Sequence, residues 1–172
     1  MDRTERRRAV SGSQSRLPTW ILFVLLAAVV FRFVTQAMQP KVDAGAGLVK
    51  WQSRGSADAV ARATGKPVLY DFTAEWCAPC KILDTEGWGD ARIARFVGDG
   101  FVPVRVMDRI QEEGRNPAEV AALQGRYKIE SFPTLIVADA EGREIARHVG
   151  WRDKDTLVGF LMDAARRTRV PR

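Results

Sequence analysis

Two kinds of hydrophobic spacing alternate along the chain from Trp51 onward. Val68 to Thr73 (VLYDFT) and Phe101 to Met107 (FVPVRVM) are short runs of β-branched and aromatic residues that predict strands; Pro103 restricts the second to an edge or a bulge. Pro133 to Asp139 (PTLIVAD) and Arg143 to Val149 (REIARHV) predict two more, joined as a hairpin across Ala140-Glu141-Gly142. Helical stretches lie between and around them. Ser56 is placed to cap a helix over Ala57 to Ala63, which Gly65 and Pro67 end. The segment after Trp76 reads as helix to Glu86, where Gly87 and Gly89 interrupt it, and Asp90 caps a helix over Ala91 to Val97. A polar loop runs to Gly114; then Asn116-Pro117 supplies a cap and a first-turn proline for a helix that Gly125 stops. In the last helix, Asp153 to Ala165, the residues Leu157, Phe160, Leu161 and Ala164 form one apolar stripe. This order of elements predicts an α/β fold, a central sheet flanked by helices on both faces.

The N-terminal third has a different pattern. Leu17 to Val34 is a run whose only charge is Arg32, with an uninterrupted apolar centre from Trp20 to Phe31. As a helix these residues would extend about 27 Å, close to the hydrocarbon thickness of a bilayer. Arg3, Arg6, Arg7, Arg8 and Arg16 precede the run, which places the N-terminus in the cytoplasm by the positive-inside rule and exports the chain downstream of the run. The expected organisation is a basic cytoplasmic tail (1–16), a transmembrane anchor or uncleaved signal (17–36), a flexible tether (37–50), a domain (51–165) and a basic C-terminal tail (166–172). A cleaved signal peptide is the competing reading, with Thr35-Gln36-Ala37 as its cleavage site and a domain secreted to the periplasm as its outcome.

Composition then narrows the chemistry. The chain has 172 residues and a formal net charge of +6, but residues 1–50 carry eight Lys/Arg against three Asp/Glu, whereas residues 51–165 carry 15 against 18. The basic excess is terminal, and a mildly acidic domain without a basic stripe argues against nucleic acid as a partner. Two cysteines and one histidine rule out a four-ligand zinc site, a Cys₄ cluster and a disulfide-stapled miniature fold within one chain.

Both cysteines fall in Trp76-Cys77-Ala78-Pro79-Cys80-Lys81, directly after a predicted strand and at the start of a predicted helix. A thiol in a helix's first turn meets unpaired backbone N–H groups and the positive end of the dipole, which favour thiolate. Cys77 is therefore the expected nucleophile. Cys80, one turn later on the same face, is the expected resolving thiol. Lys81 stands where a c-type haem site would need histidine, and the four methionines are scattered. A two-thiolate Cu(I) site for an assembly partner stays open as a binding function.

The segment from Leu69 to Lys81 resembles the active-site segment of the thioredoxin family nearly residue for residue. Ser131-Phe132-Pro133-Thr134 resembles its cis-proline loop, and Val149-Gly150 its substrate-groove glycine. The resemblance covers Lys66 to Ala165. Asp84 to Asp90 (DTEGWGD) is more similar to exported thioredoxin-like domains such as the C-terminal domain of the disulfide reductase DsbD. The resemblance implies a thioredoxin fold with a mixed sheet, no cofactor beyond a Cys77–Cys80 redox disulfide and no resident metal. It implies Asp71 as a buried acid that accepts the Cys80 proton, and Trp76, Phe132, Pro133, Thr134 and Gly150 as the substrate-binding surface. Two positions depart from the family pattern. Thr73 stands where an aromatic is common, and the lysine that pairs with the buried acid has only Arg105 as a substitute, in a register the sequence leaves open.

Ala78 and Pro79 add no extra donor to the Cys77 thiolate, unlike the histidine found between the cysteines of strong oxidants. Reference potentials of about −270 mV for thioredoxin and −120 mV for DsbA differ by roughly 7 kcal/mol. The expected function is accordingly an exported thiol-disulfide oxidoreductase that reduces disulfides in envelope proteins. Its expected partners are protein disulfides and a membrane electron donor of the DsbD type; a disulfide-forming oxidant is the alternative enzyme.

Overall fold

The computed structural model describes residues 47–169. The chain divides into two units, Met1–Gln39 and Pro40–Arg172; of the first, only Ile21 and Ala28, both helical, are described. The expected anchor and the tails therefore lie outside the described residues, apart from those two positions, Gly47 to Lys50 and the first residues after Ala165. Among the described residues no helix is long and apolar enough to cross a membrane.

The second unit runs α1 (Arg54–Thr64), β1 (Val68–Ala74), α2 (Ala78–Ile82), a π-helical turn (Leu83–Gly87) and α3 (Ala91–Gly100). It continues with β2 (Val102–Asp108), α4 (Ile110–Glu113), α5 (Ala118–Arg126), β3 (Thr134–Ala138), β4 (Glu144–Val149) and α6 (Lys154–Arg169). The sheet order is β2-β1-β3-β4, with β1 parallel to β2 and antiparallel to β3, and β3 antiparallel to β4. This is the sheet flanked by helices that the element order predicts, mixed as the family resemblance implies.

Strand β1 is central, and every residue in it is buried. Alternation along it decides what each residue meets. Val68, Tyr70 and Phe72 pack with Val104, Ile136 and Tyr127 on one face. Leu69 packs on the other with Trp51, Trp88, Leu135 and Leu157. Asp71, two residues after Leu69, shares the latter face, which sets a carboxylate against two tryptophans.

Pro103 sits on the edge strand, as its missing N–H requires, and its carbonyl accepts the Gln52 N–H at 2.8 Å. Gln52 forms an isolated parallel bridge with Val104, and Val49, in the stretch assigned to the tether, is buried. Asp90 caps α3 as expected, accepting from Arg92 N (2.9 Å) and Ile93 N (3.4 Å).

Three local expectations are corrected. Helix α1 begins at Arg54, three residues early, and Ser56 bonds back to the Ser53 carbonyl at 2.9 Å instead of capping. Asn116 does not cap α5: its Oδ1 accepts from Arg109 N at 2.6 Å, and Pro117 takes the cap position. Helix α6 continues past Ala165 to Arg169.

Candidate active site

Strands β1 and β2 both end at the pole where α2 begins. Cys77 is the N-cap of α2, in extended conformation, and its Sγ accepts the backbone N–H of Cys80 at 3.2 Å. That bond is the local form of helix-start stabilisation, an amide proton aimed at a sulfur, which favours negative charge on it. Cys77 and Cys80 are joined as a disulfide, with Cα atoms 5.3 Å apart, and both are buried. Pro79 lies in the first turn, where a missing N–H costs nothing.

Around the sulfurs stand the remaining expected residues. Trp76 is 48% exposed beside the buried pair, and its ring meets Phe132 edge-on, centroids 5.8 Å apart. The Phe132–Pro133 peptide is cis, as the family resemblance implied. Phe132 packs against the small cluster of Ala74, Cys77 and Cys80. Gly150 has φ of +81°, where an L side chain is strained, and donates its N–H to the Pro133 carbonyl at 2.8 Å. Thr134 is buried between Phe72 and Val149 in the sheet register, and its hydroxyl donates to Ser131 O at 2.7 Å. Thus Trp76, Phe132, Pro133, Thr134 and Gly150 converge on the disulfide's end of the sheet.

Asp71, on the central strand β1 that leads to Trp76, is buried in a charged cluster. The register pairs Asp71 with Arg105, which settles the question the sequence left open. One guanidinium nitrogen of Arg105 reaches Asp71 Oδ2 at 3.2 Å and also bonds Asp84 Oδ1. Trp88 donates its indole N–H to the same Oδ2 at 3.0 Å. Burial pushes the Asp71 carboxyl up to about 6, against the opposing pull of Arg105; the Asp84 charge adds to the rise and the Trp88 bond opposes it. Burial also raises Asp84. Among the described residues Asp71 Oδ1 has no partner, so the carboxylate keeps one oxygen uncommitted.

Asp84 and Trp88 were not identified as site residues from sequence. The π-helical turn brings them in: Trp88 N bonds Leu83 O at 2.9 Å, a five-residue step that rotates the indole inward. The available signal was a tryptophan set between two glycines at a helix end. A second unforeseen feature braces the loop before Trp76. Glu75 pairs with Arg109, next to Asp108, whose carboxylate accepts from Asn116 (2.7 Å), Gln124 (2.7 Å) and Ile110 N (3.1 Å).

A cysteine pair at the head of a helix, with a cis-proline loop packed against it through Phe132 and a buried acid on the strand that leads to it, defines a thiol-disulfide oxidoreductase of thioredoxin fold. The chain belongs to the thioredoxin-like family, whose domain model, described as Thioredoxin-like domain, matches residues 55–165. It is 34% identical over 107 residues to the thiol:disulfide interchange protein DsbD of Salmonella typhi, a match covering 61% of this chain and 18% of that protein. It is 33% identical over 94 residues to a thioredoxin of Chlamydia trachomatis serovar D, covering 55% of this chain and 78% of the relative. Among solved structures, a DsbH oxidoreductase superposes with a TM-score of 0.61 at 24% identity, covering 75% of this chain and 92% of that one, a likeness of fold. The chain thus spans less than a fifth of the DsbD length it matches.

Proposed function

We infer that the protein is an exported dithiol reductant of protein disulfides, its thioredoxin-like domain (51–165) held outside the cytoplasm by the N-terminal apolar run. The observation that carries the chemistry is the Cys80 N–H aimed at Cys77 Sγ at the start of α2. In the reduced protein the Cys77 thiolate attacks one sulfur of a substrate disulfide. A mixed disulfide forms, and the other substrate sulfur leaves as thiolate. Cys80 loses its proton to Asp71 and attacks Cys77 Sγ, which releases the substrate's second sulfur. The substrate gains two electrons and the protein ends as the Cys77–Cys80 disulfide. Asp71 suits the proton transfer because its carboxyl is held up to about 6 by burial and its Oδ1 is uncommitted.

The reductive direction is supported by Ala78 and Pro79, which place no additional cation or donor side chain between the cysteines. Reduced protein would be regenerated by a membrane dithiol donor of the DsbD type, since the arginines before residue 17 orient the domain away from cytoplasmic reductants. Trp76, Phe132 and Gly150 frame the surface that receives the extended substrate chain.

The test is Cys80→Ala in the full-length protein in its native membrane. Mixed disulfides through Cys77 should accumulate, and their protein partners should include both clients and the donor. Equal trapping by Cys77→Ala overturns the assignment of nucleophile. A steady-state Cys77–Cys80 pair that is fully oxidised in cells overturns the reductive direction.

A further inference from the structure

Arg105 bridges two carboxylates in the interior. Its side chain is 4% exposed, and a single terminal nitrogen bonds both Asp71 and Asp84. The guanidinium carbon lies 4.5 Å from the centre of the Trp51 ring, within cation–π range. Trp51 itself is 1% exposed and packs T-shaped on Trp88, centroids 5.5 Å apart; Trp88 is the other donor to Asp71 Oδ2. Both donors to that oxygen therefore rest on one indole. Hydrogen bonds on either side fix the short stretch that carries it, Leu48 N to Trp88 O at 2.8 Å and Gln52 N to Pro103 O at 2.8 Å. Among the described residues, the three buried side-chain polar atoms without a partner are Trp51 Nε1, Asp71 Oδ1 and Arg105 Nε, all in this cluster.

We propose that Trp51 is a positioning residue of the redox centre: its ring is the platform that holds the Arg105 guanidinium between Asp71 and Asp84, so that Asp71 Oδ2 is bound and Oδ1 is left free. The face of a guanidinium forms no hydrogen bonds, and an indole face is the surface that attracts it while leaving the edge N–H groups for carboxylates. An aliphatic side chain fills the space without that attraction. Arg105 then moves toward Asp84, whose side chain is 17% exposed and allows hydration of the pair, and Asp71 loses its cation. The charged groups facing Asp71 are Arg105 from β2 and Asp84 from the π-helical turn, and the Trp88 N–H is the remaining donor. The placement stands on contacts alone, and its effect on catalysis rests on the reading of Asp71 as proton acceptor.

Two measurements separate these levels. The first tracks the Asp71 carboxyl by carbon NMR titration in the full-length oxidised protein, in which no thiol titrates. Trp51→Phe, which keeps an aromatic face, should titrate close to wild type. Trp51→Leu should move the midpoint up by about one pH unit, as expected for loss of a neighbouring cation. Should Trp51→Leu not fold, Trp51→Met carries the same comparison. An unmoved midpoint in the folded aliphatic variant, or equal shifts for Phe and the aliphatic residue, overturns the platform. The second is the pH dependence of mixed-disulfide resolution. Its inflection should track the NMR midpoint through the Trp51 series and vanish in Asp71→Asn. An inflection that persists in Asp71→Asn removes the proton-acceptor reading and leaves the platform to be decided by the titration.

Discussion

Asp71 and Arg105 stand opposite each other in the parallel pairing of β1 and β2, and the guanidinium closes the gap to Oδ2 at 3.2 Å. The same arginine is committed to Asp84, so two carboxylates share one cation in the interior. Such a set retains a proton more readily than an isolated pair, because one negative charge is left uncompensated.

Stability should register this. The Asp71 carboxyl goes from an ordinary 3.8 to about 6 on folding, so the protonated form is the one the fold prefers. Its stabilising contribution is fully present below pH 3.8 and is lost as pH rises through about 6. The difference amounts to about 3 kcal/mol. Asp71→Asn should gain on the wild type by about that amount between pH 4 and pH 8, as read by urea unfolding of the oxidised proteins. Parallel stability profiles for the two would contradict the raised carboxyl.

Asp108 is 5% exposed and accepts hydrogen bonds from Asn116, Gln124 and Ile110 N. Asp108→Ala strands two amide side chains and should cost about 2 kcal/mol. It also loosens Arg109, which pairs with Glu75 next to Trp76. Hydrogen exchange in residues 109–117 should therefore rise, and turnover should fall more than with Arg109→Ala alone.

Trp76 contributes surface more than core, being 48% exposed. Trp76→Ala should raise KM for a peptide disulfide roughly tenfold while kcat stays within a factor of about two. A large loss of thermal stability instead would make its role packing.

Gly87 closes the π-helical turn against a tight wall. A Cβ there would come within 2.7 Å of Leu83 Cδ1 and 2.9 Å of Leu157 Cδ2. Gly87→Ala should destabilise by about 2 kcal/mol, from overpacking. Because the turn also delivers Trp88 and Asp84, the Asp71 titration should shift with it; a loss of stability with an unchanged titration would separate the two roles of the turn.

Legibility in the sequence depended on the range of the contact. The cysteines and Trp76 announce themselves because helix-start chemistry is local and the residues are adjacent. Asp71 was legible only through its neighbours in a known motif. Its partner was not: a one-residue slip between β1 and β2 would turn Arg105 to the other face, and turn-free parallel strands carry no sequence mark of register. Asp84 and Trp88 were hidden for another reason. The glycines around Trp88 read as a helix ending, and the helix does end at Gly87, but nothing in the sequence marks the five-residue step over Leu83–Gly87 that delivers Trp88 to Asp71. Asn116 shows the same limit, since its cap signature was correct for the residue type but the donor it met was Arg109 N from another loop.

The two borders of the sheet carry a last consequence. An open sheet offers its strand borders to unfolded chains, which can add to them and seed aggregates. On β2 the backbone carbonyl of Pro103 is already taken by Gln52, and proline itself contributes no donor. On β4 two of the residues are charged, Glu144 and Arg147, with Arg147 paired to Glu144 and donating to the Tyr127 carbonyl at 2.6 Å. Both borders are thereby guarded against the addition of a further strand, and the disulfide's end of the sheet stays the place where another chain can engage without zipping on to it.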